Sequence, residues 1–395
     1  MNNSSEQLIG KHPRIEAVDA LRGFAVMAIL LVHNLEHFIF PVYPADSPGW
    51  LNTLDQGVFN VVFTLFAGKA YAIFALLFGF TFYIQSHNLK RRGGDFGCRF
   101  LWRLVLLAGF ATLNAAFFPA GDVLLLFVIA GLFLFFTRNW SDGAILVAAV
   151  VFLLQPVEWY HCVAALLDPA HRLPDLGVGE MYARVAEYTK AGNFGDFILG
   201  NVTLGQKASL LWAVNAGRFV QTAGLFLLGF YIGRKQLFAA TEKNLRFWVK
   251  TLIVSAIAFA PLYTLRELVM DNGAVVGQTA GTALDMWQKL AFTLVLVASF
   301  ILLYQRRKFS AAVAGLRFYG RMSLTNYLSQ SVIGAFVYFP IGLYLAPRCG
   351  YTASLLVGIL VFLLQVRFCK WWLGRHKQGP LEYIWHKCTW IGTGK

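Results

Sequence analysis

Charge is scarce in this 395-residue chain: Asp, Glu, Lys and Arg make up 14% of it, against about 25% in a typical soluble domain. Acid is the scarcer sign, with 20 acidic against 34 basic residues and a net charge of +14. Hydrophobic residues reach 57%, and apolar runs recur near 20 residues, the length that crosses a bilayer core. A soluble fold is excluded. Cysteine is sparse as well: Cys98, Cys162, Cys349, Cys369 and Cys388 show no metal-type spacing and read as packing residues. A cleavable signal is not expected, because the first twenty residues are polar and the run after them ends in HNLEHF without a small-residue site. No internal repeat emerges, which weighs against the inverted-repeat transporter folds. In a soluble protein the basic excess would suggest nucleic acid. Here the basic residues cluster between apolar runs, so membrane topology accounts for them and no nucleic-acid partner is expected.

What is present is an all-α, polytopic transmembrane bundle. The apolar pattern predicts about ten spans, near 20–40, 62–85, 100–118, 122–137, 143–159, 212–233, 247–268, 286–304, 320–345 and 351–373. A topology with both termini in the cytoplasm puts 25 of the 34 Lys and Arg on cytoplasmic ends and 13 of the 20 acids on the other side. The chain then forms one integral membrane domain over 1–395. Residues 159–210 make an extracytoplasmic loop, either capping an outer cavity or simply folding on the surface. Residues 374–395 make a cytoplasmic interfacial tail, where Gly379-Pro380 opens a short helix with Glu382 in its first turn and Trp385 and Trp390 at the interface.

The first span carries the most chemistry. Arg22 and His33 are eleven residues apart, so they share a helix face, roughly 16 Å apart along the axis. Arg22 reads either as a positive-inside anchor or as a fork for phosphate or carboxylate. His33, deep in the span, reads as a general base or as a histidine satisfied by a neighbouring helix. His33 and His37 lie one turn apart, but no third ligand is evident and no metal is expected. Asn34 and Glu36 complete this polar end. Asp19 reads as a helix N-cap, and so does Asp122 at the start of the fourth span, unless Asp122 orients an acceptor or the histidine. Lys69 reads as snorkelling to an interface, and Gly68 and Gly79 as sites of close helix packing. In the ninth span Ser323, Asn326 and Gln330 form a polar stripe, with Arg321 at its foot; the stripe either glues helices or lines a cavity.

Five of these segments resemble the YeiB-like family of bacterial inner-membrane proteins, a DUF418-type family: VDALRGFAVMAILLVHN, GKAYAIFALLFGF, GDVLLLFVIAGL, GRMSLTNYLSQS and QGPLEYIW. That family is distantly similar to the acyltransferase-3 group and to the heparan-glucosaminide N-acetyltransferase group. The former carries an Arg, ten residues, then a His on its first span, a pattern that Arg22 and His33 fit. YeiB-like proteins commonly place a His before the GD of the fourth span; here Thr112 and Asn114 are the nearest polar residues. The resemblance implies a multi-pass inner-membrane acyltransferase with His33 as catalytic candidate and Arg22 at the donor site; Asp122, by its place at the helix end, is the second catalytic candidate. The enzyme would hold no tight cofactor and would use acyl-CoA as co-substrate. Arg22, Arg99, Arg103 and Arg321 are the candidate phosphate partners. Asn34, Lys69, Asn114, Ser323, Asn326 and Gln330 are candidates to line the site or stabilise an oxyanion. The acceptor would be a glycan or small envelope or secreted molecule. Polar stripes inside spans also fit an exporter or transporter of a small polar solute.

Overall fold

A computed structural model describes residues 15–40, 42–44, 47–91, 93–271 and 274–391. Eighteen α-helices occur among them. In chain order they are α1 (Glu16–Leu35), α2 (Gly49–Phe66), α3 (Lys69–Lys90), α4 (Gly97–Phe117), α5 (Leu124–Thr137), α6 (Asp142–Leu153), α7 (Pro156–Leu167), α8 (Val178–Ala191) and α9 (Phe194–Gly200). They continue with α10 (Gln206–Asn215), α11 (Arg218–Arg234), α12 (Glu242–Met270), α13 (Val275–Tyr304), α14 (Arg307–Ala312), α15 (Ala314–Arg321), α16 (Ser323–Tyr338), α17 (Tyr351–Leu373) and α18 (Pro380–Thr389).

Six helical stretches are long and apolar enough to cross a bilayer: α1, the continuous α2–α3 stretch, α4, α12, α13 and α17. A seventh forms if α6 and α7, bent by 47° at their break, count as one. The ten expected spans are thus not all single long helices. Those at 122–137, 212–233 and 320–345 are represented by α5, α11 and α16, with 14, 17 and 16 residues. Gly217, at φ +64°, separates α10 from α11, and Met322 separates α15 from α16. The second span begins earlier than its hydropathy suggested, because α2 runs into α3 across Ala67 and the left-handed Gly68. The stretch 159–210 is folded into the end of α7 and α8 to α10.

α1 lies at the centre of the bundle, with most of its length buried. α12 lies against α13 and is otherwise almost wholly exposed, as a lipid-facing helix would be. Two crossings depend on glycine. A Cβ on Gly79 of α3 would stand 1.9 Å from the Phe226 carbonyl oxygen of α11, and one on Gly229 of α11 1.9 Å from that of Leu76. α1 and α15 meet in the same way at Gly23 and Gly320. Each backbone occupies the space that a neighbour's side chain would need. Asp19 does not cap α1. It lies inside the first turn, where its carboxylate takes Arg22 Nη1 at 3.2 Å.

Candidate functional site

Two cavities open at opposite ends of the α1–α3 pair. At the Arg22 end is a cavity of about 260 Å³. Arg22, Arg103, Arg321, Lys377 and His386 line it together with Thr81, Ser323 and Glu382. Arg22 spans Asp19 and Thr81 Oγ1, the latter at 3.0 Å. Arg321 donates to the Lys377 carbonyl at 3.2 Å. Arg103 holds the Thr389 hydroxyl at 3.3 Å and stacks on Trp385. Arg99 is not part of this lining: it donates to the Thr389 carbonyl at 2.9 Å and lies over Trp390, tying α4 to α18.

At the His37 end is a larger cavity of about 540 Å³. It is lined by His33, Glu36 and His37 of the first span, Tyr71 of α3, Tyr182 of α8, Trp212 of α10, Arg218 of α11 and Lys289 of α13. His33 is 9% exposed. Its ring lies 4.5 Å from Phe118 and 5.5 Å from His37, centroid to centroid. Its Nδ1 is buried without a hydrogen-bond partner among the described residues.

An aromatic wall separates the cavities. Phe74, which lines the first, stacks on Tyr327 at 6.4 Å and on Phe127 at 5.8 Å. On the far side of that layer Tyr327 lies 6.1 Å from His33, and Phe127 5.5 Å from Tyr71.

Several expected site residues lie elsewhere. Asp122 does not orient His33. It accepts Asn114 Nδ2 at 2.9 Å and the backbone N–H groups of Leu124 and Leu125, so it caps α5. Asn114 in turn accepts Ser331 Oγ at 2.7 Å, which ties α4 to α16. Asn34 turns away from the cavity to bond Tyr338 and the Leu30 carbonyl, both at 2.8 Å. Asn326 donates to the Tyr319 carbonyl at 2.9 Å, and Gln330 to the Tyr319 hydroxyl at 3.4 Å. Of the polar stripe only Ser323 lines either large cavity; the others join helices. Lys69 does not snorkel. It is 4% exposed, with its ammonium 5.7 Å from the centre of the Phe292 ring.

Similarity to known proteins extends along nearly the whole chain. The family model described as "Protein of unknown function (DUF418)" matches residues 232–392, from the end of α11 through α18. Uncharacterized protein YxaH of Bacillus subtilis is 24% identical over 98% of this chain and 97% of its own length. Uncharacterized protein YeiB of Escherichia coli is 25% identical over 95% of this chain and 96% of its own. The chain is thus similar along its length to YeiB-like proteins, and over residues 232–392 to the DUF418 model. An uncharacterized 39.9 kDa protein of Bacillus acidopullulyticus is also similar, at 24% over 95% of the chain and 94% of its own length. No solved structure matches.

The sequence did not single out Arg218, Lys289, Tyr71 and Tyr182 in one cavity or Lys377 and His386 in the other. Arg218 follows the αL residue Gly217, and that break carried the signal: a cation directly after a turn that opens an apolar helix. Glu382 was also underread. Its carboxylate accepts the Leu324 and Thr325 N–H groups at 2.7 and 3.1 Å and the Thr325 hydroxyl at 2.6 Å, capping α16 from α18. Burial pushes this carboxyl above the usual carboxylate range, and the accepted hydrogen bonds only partly offset that.

Proposed function

We propose that the protein is a multi-pass acyltransferase of the bacterial inner membrane, with ten spans and both termini in the cytoplasm. The observation that carries this reading is the pair of cavities back to back along α1 and α3, one ringed by arginines and one holding His33. An acyl-CoA enters from the Arg22 end. Arg22, Arg103 and Arg321 take its phosphates, since a guanidinium fork matches phosphate oxygens. The acyl thioester reaches past the Phe74–Tyr327 layer, roughly 16 Å of helix rise from Arg22 to His33. The acceptor, a hydroxyl or amine of a glycan or small envelope molecule, occupies the larger cavity. His33 takes the proton as the acceptor oxygen or nitrogen attacks the thioester carbon. The tetrahedral adduct collapses, the C–S bond breaks, and the proton passes to the departing CoA thiolate.

The aromatic layer favours one second reading. Two open cavities divided by an aromatic layer also describe a transporter of a small polar solute caught between access states. One experiment separates the two. The full-length chain in detergent is melted with acetyl-CoA and longer acyl-CoAs. A ligand that binds only the folded state at 100 times its Kd stabilises by about 2.7 kcal/mol. Acyltransfer predicts a rise in Tm with at least one of them. It also predicts that His33→Ala keeps that rise while losing 100-fold or more of transfer, the lower end of about 10² to 10⁴ for general base catalysis. No shift with any CoA, together with CoA-independent flux in proteoliposomes, overturns the enzyme reading in favour of transport.

A further inference from the structure

Among the described residues, the charges around the larger cavity do not balance. Asp285 of α13 is shared between Arg266 of α12, at 3.1 Å, and Lys289. Arg266 also pairs with Glu267. Glu36, the one carboxylate among the described lining residues, lies 3.4 Å from His37. That leaves two cations without a carboxylate partner among the described residues, Lys69 and Arg218.

Arg218 is held in an unusual way. Its guanidinium carbon lies 4.6 Å from the Trp212 ring centre and 5.2 Å from that of Tyr71. Aromatic faces hold the cation, but they leave the N–H edge of the fork without an acceptor among the described residues. That residue lines the cavity. Lys289 reaches the same lining across the left-handed Gly68, where a Cβ would stand 2.9 Å from the lysine Cδ. An uncompensated cation within a bundle of membrane helices is costly unless something of opposite charge joins it. Lys69, which is buried and precedes the lining residue Ala70, adds to the same imbalance.

The geometry points to an anion-binding site: we infer that the larger cavity takes a small organic anion, a carboxylate or phosphate ester, with its charged group on the Arg218 fork and beside Lys289. This deepens the proposed function and rests on it in one respect, that the occupant is the acyl acceptor. The acceptor is then a hydroxy or amino compound that already carries a negative charge. Placed on Arg218, it lies in the cavity that His33 lines, so that charge fixes its position while a separate hydroxyl or amine meets the histidine.

The test melts the full-length chain in detergent, without CoA, against glucuronate and glycerol 3-phosphate. Glucose and glycerol are the neutral partners, and sodium chloride matches the ionic strength. At least one anion is expected to raise Tm where its neutral partner does not, and the two arms separate carboxylate from phosphate recognition. Arg218→Gln is expected to raise the anion concentration needed for half the shift tenfold or more. Glu36→Gln, which removes a competing negative charge, is expected to lower it. If Arg218→Gln does not fold, Arg218→Lys keeps the charge without the fork and is expected to weaken the response while retaining part of it. Equal shifts with the neutral partners, no shift with either anion, or an Arg218 variant that responds like the wild type would overturn the inference. An acetyl-CoA shift without an anion shift overturns the anion site alone. An anion shift without any CoA shift, joined by CoA-independent flux in proteoliposomes, overturns the acyltransferase reading and leaves the site standing.

Discussion

At the residue scale, Glu382 is where a single side chain holds two parts of the chain together. α16 begins at a break and has no side-chain cap of its own from Met322. Glu382, 58 residues after Leu324, supplies the acceptors instead. Glu382→Ala should cost about 1–2 kcal/mol, as for loss of a helix cap. Its pH dependence has a definite sign. Burial raises the folded-state pKa, so the folded protein holds the proton over a range where the unfolded chain has lost it. Stability from this group is therefore lost as pH rises from the ordinary carboxylate value through the raised one. The Tm advantage of wild type over Glu382→Gln should shrink across that range; an advantage that grows with pH would contradict the assignment. The sequence shows Glu382 as a charge in the first turn of its own helix, because its partners on α16 come near only through folding. Arg22 and His33 were legible for the opposite reason, since eleven residues on one helix set their relation directly. Asn326 and Gln330 were legible as a polar stripe, but whether such a stripe faces a cavity or another helix depends on which helix packs there, and here α15 does. Arg218 draws its significance from Trp212 and Tyr71, on two other helices.

At the element scale, periodicity and hydropathy located the apolar stretches but not their breaks. The turn at Met322 and the bend between α6 and α7 lie inside runs that hydropathy reads as continuous. Glycine spacing was more telling, because only a missing side chain lets two backbones touch. A methyl carbon added at Gly79 or Gly229 would meet the opposite backbone at 1.9 Å, too close for any side-chain rotation to relieve. Ala at either position must push α3 and α11 apart. The expected cost is about 1–3 kcal/mol each, the range for overpacking a filled core. Gly109 of α4 is the control. Nothing lies within 4 Å of where its Cβ would stand, so Gly109→Ala should be neutral or stabilise by about 0.5–1 kcal/mol through helix propensity. Melting curves of the three variants test the contrast, and equal losses at all three would show that the crossing is not what these glycines serve.

At the scale of the whole molecule, the two cavities and the layer between them decide how any function must run. In the proposed topology the arginine-lined cavity faces the cytoplasm and the histidine-lined one faces away. Donor and acceptor, or the two ends of a transport path, then meet only across Phe74, Phe127 and Tyr327. Thiol labelling tests this arrangement. Cys98 is exposed and Cys388 partly so, while Cys162, Cys349 and Cys369 are buried. With Cys98 and Cys388 replaced by serine, a new thiol at Ser323→Cys reports the first cavity and one at Ala67→Cys the second, since both positions line their cavities. A membrane-impermeant maleimide should label Ala67→Cys in intact cells and Ser323→Cys only in inverted vesicles. The reverse pattern would invert the topology while keeping the two-sided plan. Labelling of both from one side would join the cavities in a single compartment. The acyl group would then have no membrane to cross, and the arginines would have to be reread as part of the acceptor site.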